Sequence, residues 1–487
     1  MSVQTGSASF HASRKSKIAA AIIARQDRIP VWSLSNLSIG IIGLGFLFTF
    51  FDIGDINVSF IQTCTQIVPG CLPQIAGRYI GLPVLLNLVG YVLGALVLSP
   101  FADRFGRRDV MLITMVITGL GSLYTVFVGD YTSFILARTV TGIGVGADLA
   151  LVNTYINEVA PNQGRVKYTS LIFIMSSIGT SLGICLGLYL TTPAAPFPFG
   201  LPFALATPHF VVGWRIMYGI GASLAVVGLL LRLFALPESP RWLISRGHLS
   251  AAERIVSRME KQALARLSEL PPVAPALPIR TMAHGTGYSE IFSNALYFKR
   301  TILLLVVWLL GYITVYSYVS GFTVLLTALG YPASEAGLVS SLSIFSGLIG
   351  ALIAYTLGER LERKYWLPIS AILTLAGGIV IALSGSDFGI TLLGSLVLTL
   401  GAYLWLPMTY TWSTENYPTR ARASGFALVD GIGHIGGGIG VTYVVSLVFR
   451  LGPFGTFVLV GSFLLAAAWL AQFGPATRHK RLDEISP

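Results

Sequence analysis

Long apolar stretches alternate with short charged ones along nearly the whole chain. Twelve of these stretches are long enough for a helix of about 20 residues, the length that crosses the hydrocarbon core of a bilayer. They lie near residues 37–60, 80–100, 108–128, 133–157, 166–190, 213–236, 301–325, 334–358, 366–385, 389–411, 424–449 and 453–473. Six precede residue 244 and six follow residue 298. The pattern therefore predicts an all-α integral membrane protein with twelve transmembrane helices in two six-helix halves.

A charged motif occurs once in each predicted half. The first copy contains Glu158, Pro161 and Arg165, and the second, at one common offset, contains Glu415, Pro418 and Arg422. Residues 103–108 (Asp-Arg-Phe-Gly-Arg-Arg) have a weaker echo at 359–364 (Glu-Arg-Leu-Glu-Arg-Lys). Internal repeats of this kind are typical of transport bundles whose two halves enclose a central site. The halves are therefore predicted to be pseudo-symmetric.

Composition and charge agree with a membrane location. Only 11% of residues are charged and 54% are hydrophobic, whereas an ordinary soluble domain has about 25% charged residues. Most of the 32 Lys and Arg residues fall in loops that share one side if the N-terminus is inside. Because Lys and Arg accumulate on the cytoplasmic side, both termini are predicted to be cytoplasmic, in a multi-pass inner or plasma membrane protein. Topology then explains the net charge of +11 without a nucleic-acid partner.

The segments outside the spans divide the chain further. We expect a cytoplasmic N-terminal segment (1–36), two helical halves (37–243 and 299–473), a cytoplasmic linker (244–298) and a cytoplasmic tail (474–487). Residues 250–253 (Ser-Ala-Ala-Glu) form a capping-box pattern that predicts a short amphipathic helix in the linker. No cleavable signal peptide is expected in residues 1–30. Cys64 and Cys71 share the first external loop and form either a disulfide or two free thiols.

Few ionisable groups lie inside the predicted spans, and because such groups are costly in hydrocarbon they indicate function. They are Asp52, Asp55, Arg138, Asp148, Asp430 and His434, with a single arginine among them. Asp55 and Arg138 fall at about the same depth in spans one and four, so they are expected to pair. Asp52, one turn away, is a rival for this role. A static structural ion pair is the alternative to a site of proton coupling.

Several motifs resemble the major facilitator superfamily over essentially the whole chain. Residues 103–108 are similar to its cytoplasmic signature, and 237–243 (Pro-Glu-Ser-Pro-Arg-Trp-Leu) to its sugar-porter and organic-ion branch. Residues 415–422 (Glu-Asn-Tyr-Pro-Thr-Arg-Ala-Arg) and 27–30 (Asp-Arg-Ile-Pro) resemble metabolite:proton symporters of that branch. Ser99 departs from the signature, which usually begins with Gly. The resemblance implies alternating access, in which two six-helix halves rock around a central site.

The charged motifs are expected to form a gate that holds the cytoplasmic side shut. An anion at Asp103 suits the start of a helix, and arginines of the signature could reach acidic groups on neighbouring helix ends. The predicted gate residues are Asp103, Arg104, Arg107, Arg108, Glu158, Arg165, Glu238, Arg241, Glu415 and Arg422. The alternative is that these charges only solvate loop ends and set topology.

The resemblance also implies a proton site. Similar transporters place a proton-accepting Asp in span one opposite an Arg in span four, which corresponds here to Asp55 and Arg138. Asp148 follows the glycine-rich residues 142–147 and is either a second proton or substrate site or a hydrogen-bonded group between helices. The glycines predict close helix packing and no nucleotide site, since no strand-turn-helix unit surrounds them.

Candidates for substrate contact lie in the second half, where a role in the cytoplasmic gate or in packing is the alternative for Asp430 and His434. Asp430 and His434 share a face of the glycine-rich span eleven, which we expect to be bent or partly unwound. Related symporters often have Arg at the position of His434. Tyr316 and Trp405 are the aromatic candidates. Spans five and seven contain no Gln, which disfavours a hexose.

These observations predict a secondary active transporter that moves a small organic solute, a carboxylate metabolite, by proton symport. The alternatives are a proton-coupled efflux antiporter of amphipathic or cationic compounds, a phosphate symporter and a non-transporting membrane sensor. No enzyme activity, metal or cofactor other than the proton gradient is expected. The expected partners are the substrate, protons and lipid, with the protein acting as a monomer.

Overall fold

The computed structural model describes residues 3–72, 77–161, 164–275, 287–319, 322–328, 330–385, 387–444 and 448–486. Helices dominate this part of the chain. They are α1 (Val3–Asp27), α2 (Asn36–Ile67), α3 (Gly77–Phe105), α4 (Arg107–Phe127), α5 (Tyr131–Val159), α6 (Arg165–Thr191), α7 (Gly213–Ala235), α8 (Pro240–Ser245), α9 (Leu249–Leu264), α10 (Gly287–Ser293), α11 (Ala295–Val319), α12 (Phe322–Ala328), α13 (Ala333–Ser343), α14 (Phe345–Leu357), α15 (Trp366–Ala382), α16 (Phe388–Leu404), α17 (Leu406–Glu415), α18 (Arg422–Phe426), α19 (Ile432–Ile439), α20 (Val448–Ala471) and α21 (Leu482–Ile485).

In the described residues, eleven helical segments are long and apolar enough to cross a membrane. The remaining predicted span, span eleven (424–449), is divided among α18, α19 and two π-helical stretches, Ala427–Gly431 and Gly440–Val444. The glycine-rich sequence thus produces π-helical turns where we expected a bent or partly unwound helix. Parts of two predicted spans, 320–321 and 445–447, and linker residues 276–286 lie outside the described residues.

The helices pack as two groups that meet along a central interface. In the first group α2 packs on α6 and α7, and α5 packs on α3 and α4. In the second group α11 packs on α19 and α20, and α15 packs on α16 and α20. Contacts of α6 with α14 and of α3 with α19 join the groups. The interface between the halves therefore runs through the middle of the bundle.

Glycines bring α3 and α5 unusually close together. A Cβ atom added at Gly142 would lie 2.1 Å from the backbone oxygen of Asn87, and one at Gly146 would lie 2.1 Å from that of Tyr91. No other residue type fits at such a distance, and small residues are the usual means by which membrane helices approach. The glycines of this span therefore serve helix packing, as the sequence predicts.

One end of the bundle, which we call the basic end, carries the charged motifs and both terminal segments. There α1 packs on α9, and the guanidinium groups of Arg25 and Arg28 each lie 2.6 Å from a carboxylate oxygen of Glu260. The amphipathic helix is present, but it begins at Leu249 after His248, which makes no side-chain cap. The capping-box prediction at Ser250 is therefore wrong. At the opposite end Cys64 and Cys71 are joined by a disulfide.

Candidate functional site

The buried arginine of α5 pairs with the first of the two aspartates on α2. Arg138 Nη1 donates to Asp52 Oδ2 at 2.9 Å, and its Nη2 donates to the backbone oxygen of Asp52 at 3.0 Å. Ser122 Oγ donates to the remaining carboxylate oxygen at 2.9 Å. The expected pairing of Arg138 with Asp55 is therefore wrong. Counting residues fixes only the depth of a side chain, whereas the direction in which it leaves the helix selects its partner.

Asp55 lies beside this ion pair without sharing it. It is fully buried, and neither of its carboxylate oxygens meets ordinary hydrogen-bond geometry with any described residue. The guanidinium carbon of Arg138 lies 5.2 Å from the ring centroid of Tyr218, which is also buried. Two carboxylates thus face one guanidinium, so the cluster is electrically neutral when it holds one proton.

Asp148 has a different arginine partner. Arg232 of α7 donates from Nη2 to Asp148 Oδ2 at 3.0 Å and from Nη1 to Oδ1, and Thr114 Oγ1 donates to Oδ1 at 2.8 Å. All of these side chains are buried. The spans therefore contain a second intramembrane arginine that the sequence reading missed, because Arg232 lies only a few residues from the predicted end of span six. Asp148 has the contacts of a hydrogen-bonded group between helices.

The second half contains an aspartate surrounded by aromatic side chains. Asp430 accepts hydrogen bonds of 2.6 Å from Tyr91 Oη and from Tyr312 Oη, and Tyr312 Oη lies 2.9 Å from Tyr410 Oη. The nearest basic nitrogen within the described residues is His434 Nδ1, 3.9 Å from Asp430 Oδ1. That nitrogen lies 2.7 Å from the backbone oxygen of Asp430. Since a carbonyl oxygen only accepts, Nδ1 carries the hydrogen.

The other aromatic candidates extend this cluster. The ring centroids of Tyr316 and His434 are 5.6 Å apart, and Trp405 packs on Trp308 at 5.2 Å. A narrow cavity between the halves is lined by Arg138 and Asn87 on one side and by Tyr316 on the other, with Tyr91 and several aliphatic side chains. The structure thus brings Arg138 and Tyr316 to one cavity. Trp405 is fully buried and is not among the described residues that line this cavity.

Ion pairs at the basic end join the two halves. Glu158 Oε1 lies 3.0 Å from Arg107 Nη2 of its own half and 3.4 Å from Arg422 Nη1 of the other half. Arg165 Nη1 crosses the interface in the opposite direction to Glu415 Oε1, at 3.1 Å. All five side chains are buried. Because the Glu158–Arg422 and Arg165–Glu415 bridges each contain one residue from each half, they join the two halves at this end of the bundle.

The remaining predicted gate residues lie around this network. Asp103 pairs with Arg107 at 3.0 Å and accepts from Ser424 Oγ of the second half at 2.6 Å. Arg363, which sequence reasoning missed, is 3.6 Å from Glu415. The echo of the signature at 359–364 was the signal that could have identified it.

Glu238, Arg241 and the exposed Arg104 complete the basic end. Glu238 accepts hydrogen bonds from the backbone nitrogens of Arg107 at 3.1 Å and Arg108 at 3.2 Å. Burial outweighs these bonds and raises the pKa of Glu238 to about 7. Arg241 contacts Asp27 and lies 3.4 Å from Asp483, so it joins both terminal segments. Arg104 is exposed over the ring of Phe105 and is outside the network.

Comparison with known proteins decides the family. The model of the sugar (and other) transporter family matches residues 38–487. The chain belongs to this family of the major facilitator superfamily. The transporter is 26% identical to the putative metabolite transport protein YyaJ of Bacillus subtilis, over 94% of this chain and 96% of that protein. It is 27% identical to the niacin transporter NiaP of Acinetobacter baylyi (95% and 99% covered) and 29% identical to the 4-hydroxybenzoate transporter PcaK of the same organism (79% and 80%).

Solved structures show the same fold at lower sequence identity. The proton:xylose symporter XylE of E. coli is 22% identical to the transporter, with a TM-score of 0.71 over 92% of this chain and 98% of its own. The human organic anion transporter MFSD10 is 15% identical, with a TM-score of 0.62 over 90% and 99%. The predicted all-α, two-half architecture is confirmed.

Proposed function

We propose that this transporter accumulates a small organic carboxylate by proton symport. The observation that carries the proposal is the cluster of Asp52, Asp55 and Arg138, which has two carboxylates for one guanidinium beside the central cavity. Such a cluster can gain and lose one proton without burying a net charge of more than one. An arginine does not deprotonate, so it can only change partners.

A coupling sequence follows from the charges. When Asp52 or Asp55 takes up a proton, the cluster of Asp52, Asp55 and Arg138 has no net negative charge, and Arg138 can accept a further anionic partner. Its guanidinium, which lines the cavity, then becomes the natural partner for a substrate carboxylate, since arginine binds carboxylates bidentately. Without the proton, Asp52 holds Arg138 and a substrate anion meets net negative charge. Proton and anion therefore bind together, as symport requires.

The ion-pair network at the basic end supplies the alternating access. With both termini cytoplasmic, the basic end faces the cytoplasm, and the buried Glu158 and Glu415 bridges keep the cavity closed on that side. Relatives described as carriers of niacin and of 4-hydroxybenzoate support an aromatic acid as the substrate class. The sequence of spans five and seven, which contains no Gln, supports a non-sugar substrate.

The test uses purified protein in liposomes and candidate acids such as benzoate and nicotinate. An inward proton gradient should drive accumulation, with external alkalinisation. Asp55→Asn should abolish gradient-driven accumulation, because the cluster is then neutral without a proton, while exchange of internal for external substrate survives. Glu335→Gln, which changes a buried carboxylate on α13 that pairs with no base in the described residues, is the control and should retain coupling.

Two outcomes would contradict the proposal. Accumulation by Asp55→Asn at the wild-type rate would remove this cluster from coupling. Proton uptake driven by an outward cation gradient, with no accumulation of any acid, would instead indicate the efflux antiporter. That second candidate is favoured by one observation, the absence of a Lys or Arg partner for Asp430 within the described residues.

A further inference from the structure

A tyrosine from the first half occupies a site built by the second half. The Tyr91 ring stacks on His434 with centroids 3.7 Å apart and planes 25° apart, while its hydroxyl donates to Asp430 Oδ2 at 2.6 Å. Tyr312 Oη donates to the other oxygen of the same carboxylate at 2.6 Å. The distance of 2.6 Å is typical of an O–H group that donates to an ionised carboxylate.

The arrangement around Tyr91 is the one expected for a bound phenol. The ring has an aromatic partner on its face, and its hydroxyl has a dedicated acceptor. Tyr91 comes from α3, whereas Asp430, His434 and Tyr312 belong to the other half, so this contact crosses the interface along which the halves must separate. When α3 moves away, the imidazole face and one acceptor oxygen of Asp430 are left without partners.

We propose that this site binds the hydroxylated ring of an aromatic substrate, and that Tyr91 fills it in this structure. The proposal rests on the proposed function, because this site would bind the hydroxyl end of a ligand whose carboxylate end binds Arg138. Arg138, Tyr91 and Tyr316 line one cavity, and Asp430 lies at the hydroxyl end of Tyr91. A hydroxyaromatic acid can therefore place its carboxylate at Arg138 and its hydroxyl at Asp430.

The chemistry of the site selects a hydroxyl donor at this end of the ligand. Asp430 is fully buried and only accepts when ionised, so a second carboxylate would be repelled. Tyr316 provides a further ring face, and it packs so tightly that a Cβ atom at Gly437 would lie 2.5 Å from its ring. The site thus combines one acceptor with flat aromatic walls.

The experiment measures equilibrium binding of 4-hydroxybenzoate and benzoate to the protein in lipid nanodiscs. The wild type should bind 4-hydroxybenzoate about tenfold more tightly than benzoate. The preference is smaller than for a site whose acceptor loses every hydrogen bond with benzoate, because Tyr312 still donates to Asp430. Asp430→Asn should reduce the preference to twofold or less, with benzoate affinity unchanged. Tyr312→Phe removes one of the two hydroxyl donors to Asp430 but keeps the carboxylate. It should alter the preference for 4-hydroxybenzoate without altering the affinity for benzoate.

Tyr91→Phe tests the internal competition directly. It keeps the stacked ring but removes the hydroxyl that competes for Asp430, so 4-hydroxybenzoate should bind several-fold more tightly and benzoate equally well. The matched control is Tyr318→Phe on α11, which removes a buried hydroxyl without a hydrogen bond in the described residues and away from this site. It should leave both affinities unchanged.

Several results would overturn the site. They are equal binding of the two acids, a preference that survives Asp430→Asn, and equal loss of both affinities in Tyr91→Phe. If neither acid binds, the proposed carboxylate transport fails, and p-cresol against toluene then tests the site alone. Tighter binding of p-cresol than of toluene, lost in Asp430→Asn, supports the site. Equal binding of p-cresol and toluene overturns it. Tighter binding of benzylamine than of p-cresol would make Asp430 a cation site and overturn the hydroxyl assignment.

Discussion

At the scale of single residues, Asp148 tests whether a buried carboxylate pair is structural or part of proton coupling. Breaking a buried pair leaves an unpaired charge and costs about 3–5 kcal/mol, whereas replacing both partners can be neutral. We therefore expect Asp148→Asn and Arg232→Met each to lower the thermal stability of the detergent-solubilised protein strongly. The double variant should recover most of the loss and keep proton-driven uptake.

The double variant separates the two readings of Asp148. Restored folding together with lost coupling would show that Asp148 carries a proton or contacts substrate, which the sequence reading left open. Ser223→Ala on α7, an exposed hydroxyl bonded only to its own helix, is the control and should leave stability and uptake unchanged.

Residue-level pairing is where sequence reasoning reached its limit. The identity of the intramembrane charges other than Arg232 was readable, since each costs free energy in hydrocarbon. Which aspartate holds Arg138 was not, because Asp52 and Asp55 differ by about 60° around α2. That difference selects Asp52 only once α4 brings Ser122 to the same point.

At the scale of helices, the α3–α5 contact depends on glycine. Gly142→Ala would place a methyl group 2.1 Å from the Asn87 oxygen, so the two backbones must separate. Overpacking of this kind typically costs about 1–3 kcal/mol, and we expect a lower unfolding temperature. Gly40→Ala on α2, where nothing lies within 4 Å of the added atom, is the control and should be neutral or slightly stabilising.

An unchanged unfolding temperature in Gly142→Ala would show that α3 and α5 can move apart freely. The same comparison would then remove close packing as the reason for the glycine pattern.

The helical character of each element was largely readable from the sequence, because a helix forms all of its own backbone hydrogen bonds in lipid. The π-helical turns around Asp430 were not, since they arise where α11 and α3 pack against a helix rich in glycine.

At the scale of the whole molecule, Glu158 joins the halves at the basic end. Glu158→Gln weakens its bonds to Arg107 and Arg422 and leaves two buried guanidinium groups without an anion between them. We expect the basic end to open more often, with several-fold faster labelling of a cysteine introduced at Asn87 by a thiol reagent added from the cytoplasmic side. Arg104→Gln, an exposed arginine outside the network, is the control.

Slower or unchanged labelling in Glu158→Gln would mean that the charges set topology and solvate loop ends but do not hold the gate.

Arg104 and Arg108 were predicted as gate residues on motif grounds alone. Arg108 lies partly exposed, with its guanidinium 3.6 Å from the neighbouring Asp109, so neither residue bridges the halves. A motif specifies residue types, and the helix geometry decides which of them reach across.

The sequence by itself determined that this protein is a duplicated helical membrane bundle with charged motifs at one end. Those properties follow from the apolar length of each segment and from the repeat, which are local features of the chain. The tertiary structure decided the partners: Asp52 for Arg138, Arg232 for Asp148, and Tyr91 of one half for Asp430 of the other. Such contacts depend on how each helix is rotated about its axis and on the distance between helices that are far apart in sequence. The hydrophobic pattern fixes neither quantity closely enough to select one side chain as the partner of another.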